Sequence, residues 1–119
     1  MFRELVKEVG KMSREFYELL TPPADIYEEG NELVVVIDLP GLKKEDISIR
    51  LTENSLSLSA KRTVPEGVIV HWQQRPLKLV KHISLPVKVK ATEEVKAKYE
   101  NGLLTVRIPI AGLVKATIE

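Results

Sequence analysis

The sequence predicts an all-β sandwich with a helical arm before it and a short tail behind it. Hydrophobic residues repeat at helical spacing over the first twenty positions, whereas from Ala24 onward the period is two and turn residues recur every eight to twelve positions. A length of 119 residues allows one domain with short arms. We predict an arm over residues 1–22, a sandwich over 23–111 and a tail over 112–119.

The composition favours a soluble globular protein, with 44% hydrophobic and 29% charged residues. A net charge of +1 gives no overall reason to bind nucleic acid or an acidic membrane surface. Cysteine is absent, which excludes disulfides and thiolate chemistry and favours a reducing compartment. Glu4 and Glu8 interrupt the N-terminal hydrophobic residues, so we expect no signal peptide, no stable membrane association and a cytoplasmic location.

The arm is predicted to be an amphipathic helix. Six hydrophobic residues are spaced by 3, 4, 3, 4 and 3 positions, which is the heptad spacing of a helix seam. Pro22 and Pro23 end the helix because the residue before a proline avoids helical conformation. The pattern is about equally compatible with packing on the sandwich and with contact to another molecule. The seam consists of Phe2, Leu5, Val9, Met12, Phe16 and Leu19.

The first half of the sandwich contains four predicted strands. Residues 24–27 and 32–39 form the first two, and Pro40 followed by Gly41 is typical of a type II turn. A charged elbow follows and leads into two alternating runs. Their hydrophobic residues are Ile47, Ile49, Leu51, Leu56, Leu58 and Ala60.

The second half begins with the least regular stretch, residues 61–74, in which residues 68–72 read as a short strand-like run within a protruding hairpin. A strand over residues 76–86 follows. Asn101 and Gly102 give the strongest hairpin signal, because both positions of a type I′ turn need positive φ. Hydrophobic residues alternate in the strand before this turn, in the strand after it and in the tail. They are Val95, Ala97 and Tyr99 in the first, Leu104, Val106, Ile108 and Ile110 in the second, and Val114, Ala116 and Ile118 in the tail.

The sequence contains no recognisable catalytic constellation. His71 and His82 lie on different segments, and no H-E-x-x-H, G-x-S-x-G or phosphate-binding glycine loop is present. We therefore predict a protein that is not an enzyme and has no metal or cofactor. His71, beside Trp72, is interpreted as a surface or interface residue rather than a catalytic base.

A local excess of basic residues between positions 75 and 98 is the one hint of nucleic-acid binding. No aromatic residues alternate with these cations, so base stacking is unsupported. We interpret them as solvated strand faces that discourage edge-to-edge aggregation, and expect no nucleic-acid partner. They are Arg75, Lys78, Lys81, Lys88, Lys90, Lys96 and Lys98.

Several motifs resemble those of the small heat-shock proteins, which are built on the α-crystallin domain. The most specific is Ala-Lys-Tyr-Glu-Asn-Gly-Leu-Leu at 97–104, which is similar to the family pattern A-x-x-x-N-G-x-L. The run D-L-P-G-L at 38–42, residues 23–28 and the Leu85-Pro86 pair support it. The resemblance covers almost the whole chain, is to the archaeal or bacterial type, and implies an immunoglobulin-like β-sandwich.

The resemblance implies a dimer in which a strand within residues 63–74 pairs with the partner's first strand. The interface residues implied are Ala24, Ile26, Tyr27, Val68, Val70, Trp72 and Lys81. Lys81 stands where relatives often carry an arginine, five residues before Pro86, and a lysine lacks the bidentate fork. We therefore expect the contacts of this dimer to be built differently.

The resemblance also implies a tail that docks through an I/V-x-I/V motif into a groove of a neighbouring dimer. The implied groove residues are Ile47, Ile49 and Leu51 on one side, with Val95 and Ala97 on the other. The anchor residues are Val114, Ala116 and Ile118. Ala116 stands where a bulky aliphatic residue is expected, so we predict a weakened anchor and a dimer or small assembly rather than a closed shell.

The function implied is that of an ATP-independent holdase, which binds unfolding client proteins and prevents their aggregation. We predict client contact along the helix seam, because a weakly paired seam can open, with the groove residues as a second surface. The alternative is a co-chaperone-like adaptor that binds one folded partner without self-assembly.

Overall fold

The computed structural model describes residues 2–5, 7, 22–92, 94–112 and 118 of the chain. Within these residues seven strands form two antiparallel sheets, which confirms the predicted β-sandwich. A 3-10 turn, Lys44–Asp46, occupies the charged elbow. The strands are β1 Ala24–Glu29, β2 Glu32–Asp38, β3 Ile47–Leu51, β4 Ser55–Lys61, β5 Lys78–Ser84, β6 Lys96–Glu100 and β7 Leu103–Pro109.

The two sheets have the strand orders β1-β2-β7-β6 and β3-β4-β5. In the first sheet β2 pairs with β7 in the register Val35↔Val106, although these residues are distant in sequence. β1 and β6 are the edges of this sheet, and β3 and β5 are the edges of the other. Four strand edges are therefore left without a partner strand within the described part of the chain.

The core lies between the sheets and is built from the inward-facing positions of the alternating strands. Burial of each such side chain stabilises the fold by about 1.5–3 kcal/mol. Val89 also belongs to the core although it lies in no strand, and it forms an isolated bridge with Ile110. The fully buried residues of this cluster are Leu33, Val35, Ile37, Leu39, Leu56, Leu58, Val89, Val106 and Ile108.

Two turns have the backbone conformations that the sequence predicts. Asn101 and Gly102 have φ of 54° and 76°, as a type I′ turn requires. Gly41 has φ of 74°, which is the positive value needed at the third position of a type II turn.

The segment between β4 and β5 departs from the prediction. Residues 68–72 form no strand, and the prediction of a strand-like run is wrong for the isolated chain. A strand requires a neighbour that accepts and donates its backbone hydrogen bonds. β4 and β5 pair with each other up to Lys61↔Lys78, so the chain between them projects past the end of the sheet and pairs with none of the seven strands described.

The two arms are described only in part. Residues 2–5 and Lys7 are helical, in agreement with the predicted N-terminal helix, and Phe2 and Leu5 are exposed. Ile118 is exposed as well. The remaining seam and anchor positions lie outside the described residues: Val9, Met12, Phe16, Leu19, Val114 and Ala116.

Candidate functional site

An apolar groove runs between β3 and β6, the facing edges of the two sheets. Two adjoining depressions share Ile49 and Ala97, so they form one continuous channel, which we call the groove. The first is lined by Lys44, Ile47, Ile49, Ala97, Tyr99 and Leu104. The second is lined by Ile49, Leu51, Ala91, Thr92, Val95, Ala97 and Val106.

The structure brings together all five residues that the sequence analysis assigned to this groove. Ile47, Ile49 and Leu51 form one wall because alternate residues of β3 point the same way, and they pack partly buried against the core. Val95 and Ala97 lie on the opposite wall. The groove therefore presents branched aliphatic side chains that are held in place by their packing against the core.

Six further residues line the groove that were not assigned to it from the sequence: Lys44, Ala91, Thr92, Tyr99, Leu104 and Val106. Two of the six, Tyr99 and Leu104, carry a recognisable sequence signal. Both are part of the hairpin motif at 97–104, and Tyr99 follows Ala97 by two positions, so strand alternation would have placed them on one face. The hydroxyl of Tyr99 donates to the carbonyl oxygen of Leu39 and accepts from the Leu42 N–H at 3.3 Å. One wall of the groove is thereby fixed to the turn after β2.

Residues 63–77 form a second exposed apolar region, which we call the exchange segment. Ile69 and Trp72 are 85% and 81% exposed, and Val68 and Val70 are half exposed. The indole N–H of Trp72 donates to Gln74 Oε1, two positions along the same segment, at 3.3 Å. Apolar side chains this exposed and this close together are unusual on a protein that acts alone.

The residues assigned to strand exchange lie on β1, on the exchange segment and on β5. Ala24 and Ile26 point inward and are partly buried, whereas Tyr27 is exposed on the opposite face. The free backbone edge of β1 lies on one side of the sandwich. Lys81 is partly buried on β5.

An ion-pair cluster anchors β1 across its neighbouring strand. Arg107 on β7 lies 3.1 Å from the carboxylate of Glu29 and 3.7 Å from that of Glu32. The hydrogen bond and the charge of Glu29 raise the pKa of Arg107 above its ordinary value. The cluster therefore holds the acidic end of β1 in place while leaving its outer edge open.

The described residues include no group of three metal-ligating side chains, and His82 pairs only with Ser57, Oγ to Nδ1 at 2.9 Å, at an exposed position. His71 is exposed next to Trp72. In the same part of the chain there is no helix with the length and hydrophobicity needed to cross a bilayer. The groove and the exchange segment are therefore the candidate functional sites.

Known proteins resemble this chain in sequence. The model of the Hsp20/alpha crystallin family matches residues 25–116. The 18 kDa heat shock protein of Streptomyces albus G is 38% identical over 97 residues, which are 78% of this chain and 67% of that protein. The mitochondrial 23.5 kDa heat shock protein of Arabidopsis thaliana is 36% identical over 85 residues, and the match spans 71% of this chain but only 40% of that relative.

Solved structures resemble it in fold. One mutant of hsp14.1 from Sulfolobus is 49% identical and superposes with a TM-score of 0.75, covering 99% of this chain and 97% of the other. Heat shock protein 16.0 from Schizosaccharomyces pombe is 28% identical, with a TM-score of 0.65 over 84% of this chain and 97% of its own. With its two-sheet sandwich, its groove and the family match over residues 25–116, this chain belongs to the Hsp20/alpha crystallin family of small heat shock proteins.

Proposed function

We propose that this chain is an ATP-independent holdase that binds unfolding polypeptides and keeps them from aggregating in the cytoplasm. Membership of the small heat-shock family supports a chaperone role. The observation that carries the proposal is the exposure of large hydrophobic side chains on the helix and the exchange segment, beside a groove lined by partly buried aliphatic side chains. Such surfaces bind exposed apolar segments of other chains without a chemical reaction.

The stable unit we propose is a strand-exchanged dimer. The exchange segment of each copy pairs with the open edge of β1 of the other, which gives both backbones their missing hydrogen bonds. Val68, Val70 and Trp72 would then lie on one face of the added strand, since alternate residues share a face. Lys81 and Tyr27 would complete the interface.

A second contact joins dimers through the tail. Val114, Ala116 and Ile118 are proposed to dock in the groove of a neighbouring copy, where Ile49 and Leu51 offer apolar contact. Replacement of a bulky aliphatic residue by Ala116 removes about three buried carbons, or about 2.4 kcal/mol for each docked tail. The assembly we propose is therefore a dimer or a small oligomer that dissociates on dilution.

Clients are proposed to bind first along the helix seam of residues 1–22 and second in the groove when the tail leaves it. Phe2 and Leu5 are the described members of the seam, and both are exposed. Methionine and aromatic side chains adapt to varied partners because they repack readily. The sandwich of residues 23–111 then serves as the scaffold that presents these surfaces.

Light scattering of a heated model enzyme, with and without the chain and in the absence of nucleotide, tests the holdase proposal. We expect suppressed scattering near equimolar ratio with the full chain and a marked loss with a chain that begins at residue 21. Equal protection by both chains would refute the helix assignment. Absence of protection by either chain would refute the holdase function itself.

The groove also suits an adaptor that binds one folded partner, because it is preformed in a single chain. Size-exclusion chromatography with light scattering over a dilution series separates the two functions. The holdase proposal requires at least a dimer at micromolar concentration. An adaptor would elute as a monomer at every concentration.

A further inference from the structure

The turn at residues 39–42 lies between the groove and the root of the exchange segment and contacts both. On the groove side, the hydroxyl of Tyr99 bonds to the carbonyl of Leu39 and to the N–H of Leu42. The ring of the same tyrosine lines the groove. A ligand in the groove that contacts this ring therefore contacts a side chain whose hydroxyl is hydrogen-bonded to the turn.

On the other side of the turn, Arg62 fixes the root of the exchange segment. One guanidinium nitrogen donates to the carbonyl of Pro76 at 2.7 Å and the other donates to the carbonyl of Pro40 at 3.1 Å. The backbone N–H of Arg62 donates to Leu77 at 2.7 Å. Because a guanidinium holds its donors in a rigid plane, this fork sets the direction in which the segment leaves the sheet.

Close packing leaves the turn little freedom to move alone. A Cβ on Gly102 would lie 3.1 Å from the Cα of Pro40, so the turn and the β6–β7 hairpin are in close backbone contact. The N–H of Leu39 also donates to the carbonyl of Gly102 at 2.7 Å. A shift of the turn thus displaces the β6–β7 hairpin and the exchange segment together.

We propose that this turn is a junction that couples the groove to the exchange segment, with Tyr99 and Arg62 as positioning residues on its two sides. The inference rests on the proposed assembly, in which both regions bind other copies. Occupation of the groove holds Tyr99, and through the turn and Arg62 it holds the exchange segment in the orientation that reaches a partner. Because coupling between two binding sites is reciprocal, strand exchange strengthens tail docking by the same factor.

Two variants test the junction from opposite ends. Tyr99→Phe keeps the ring in the groove and removes both hydrogen bonds to the turn, while Arg62→Gln removes the fork far from the groove. We expect Tyr99→Phe to weaken dimerisation, measured by analytical ultracentrifugation, and Arg62→Gln to weaken binding of a synthetic peptide of residues 112–119, measured by fluorescence anisotropy. Each remote effect should be about five-fold or more. Arg50→Gln, an exposed arginine on the outer face of β3, is the matched control and should change neither quantity.

Amide hydrogen exchange gives a readout that does not depend on assembly. Tyr99→Phe should accelerate exchange of the Arg62 N–H in the monomer, and the double variant should be less affected than the sum of the two single effects. Effects confined to each variant's own side, or strictly additive ones, would overturn the junction and leave the holdase function standing. An unmodified chain that neither dimerises nor binds the peptide would overturn the proposed assembly and the junction with it. If Arg62→Gln does not fold by circular dichroism, Arg62→Lys replaces it, since a single ammonium does not reproduce the planar fork.

Discussion

The groove and the exchange segment both expose apolar side chains, yet their backbones differ. The groove lies between β3 and β6, and each of these strands is paired on its other side, for example Ile47↔Ala60 in one sheet and Ala97↔Val106 in the other. The exchange segment pairs with no strand among the described residues of its own chain. The groove can thus bind side chains without further pairing of its own backbone. The exchange segment, by contrast, needs a second strand to satisfy its backbone hydrogen bonds.

Because of this difference, tail docking and strand exchange differ in how much of the chain must become ordered on binding. Docking in the groove orders only the incoming tail, because the receptor is already rigid. Strand exchange must also order the segment itself, at about 1–2 kcal/mol for each backbone residue, and only a full set of new backbone hydrogen bonds and buried apolar contacts offsets this cost. We therefore expect dimerisation to be an all-or-none property of the segment and tail docking to be graded.

Removal of the exchange segment should have the largest effect. Replacement of residues 63–74, which are most of the exchange segment, by a three-residue glycine and serine linker should leave the β4–β5 hairpin folded and abolish the dimer at every accessible concentration. Sedimentation velocity measures the state of association, and Glu66→Gln at the exposed tip is the control that keeps the segment intact. A dimer that survives the replacement would show that strand exchange is not its basis.

A charge placed in the groove should have the second-largest effect. Ala97→Glu puts a carboxylate between the two walls without disturbing the core, because Ala97 is exposed. An unpaired charge covered by the tail typically costs about 3 kcal/mol, so affinity for the tail peptide should fall about 100-fold. Lys96→Glu, whose side chain points to the opposite face, should leave the affinity nearly unchanged. Equal losses in both variants would indicate general electrostatic repulsion in place of groove docking.

Restoration of the tail anchor should act in the opposite direction. Ala116→Ile adds about 2.4 kcal/mol of apolar burial, and each tail should bind about 50-fold more tightly. Many tails acting together magnify the gain, so light scattering should show a shift towards large oligomers. Ile118→Ala should leave dimers and small species. If the unmodified chain is already a large oligomer at low micromolar concentration and Ala116→Ile changes nothing, Val114 and Ile118 suffice as the anchor.

The smallest effect is spectroscopic. Trp72 is the chain's only tryptophan and is 81% exposed in the single chain. Partial burial on strand exchange should shift its emission to shorter wavelength, and dilution below the dimer dissociation constant should reverse the shift. Emission that stays fully red-shifted in a proven dimer would place Trp72 outside the interface.

Most of the sandwich followed from local patterns. Alternation set the inward faces of β4 and β7, and the Asn-Gly and Pro-Gly pairs set two turns whose positive φ values are observed at Asn101, Gly102 and Gly41. These features depend on residues within a few positions of one another, which is why the sequence alone reveals them. The family was likewise identifiable from residues 97–104, and the match over 25–116 confirms it.

Only the tertiary structure decided which distant residues meet. Tyr99 contacts the turn 60 positions earlier, and Arg62 reaches back to Pro40 and forward to Pro76, so neither contact has a local pattern. The absence of a strand at residues 68–72 has the same origin, because strand formation depends on a neighbouring strand, and the part of the chain that the structure describes places none beside this segment. Sequence periodicity assigns a side chain to a face, but the packing of the two sheets determines what lies opposite that face.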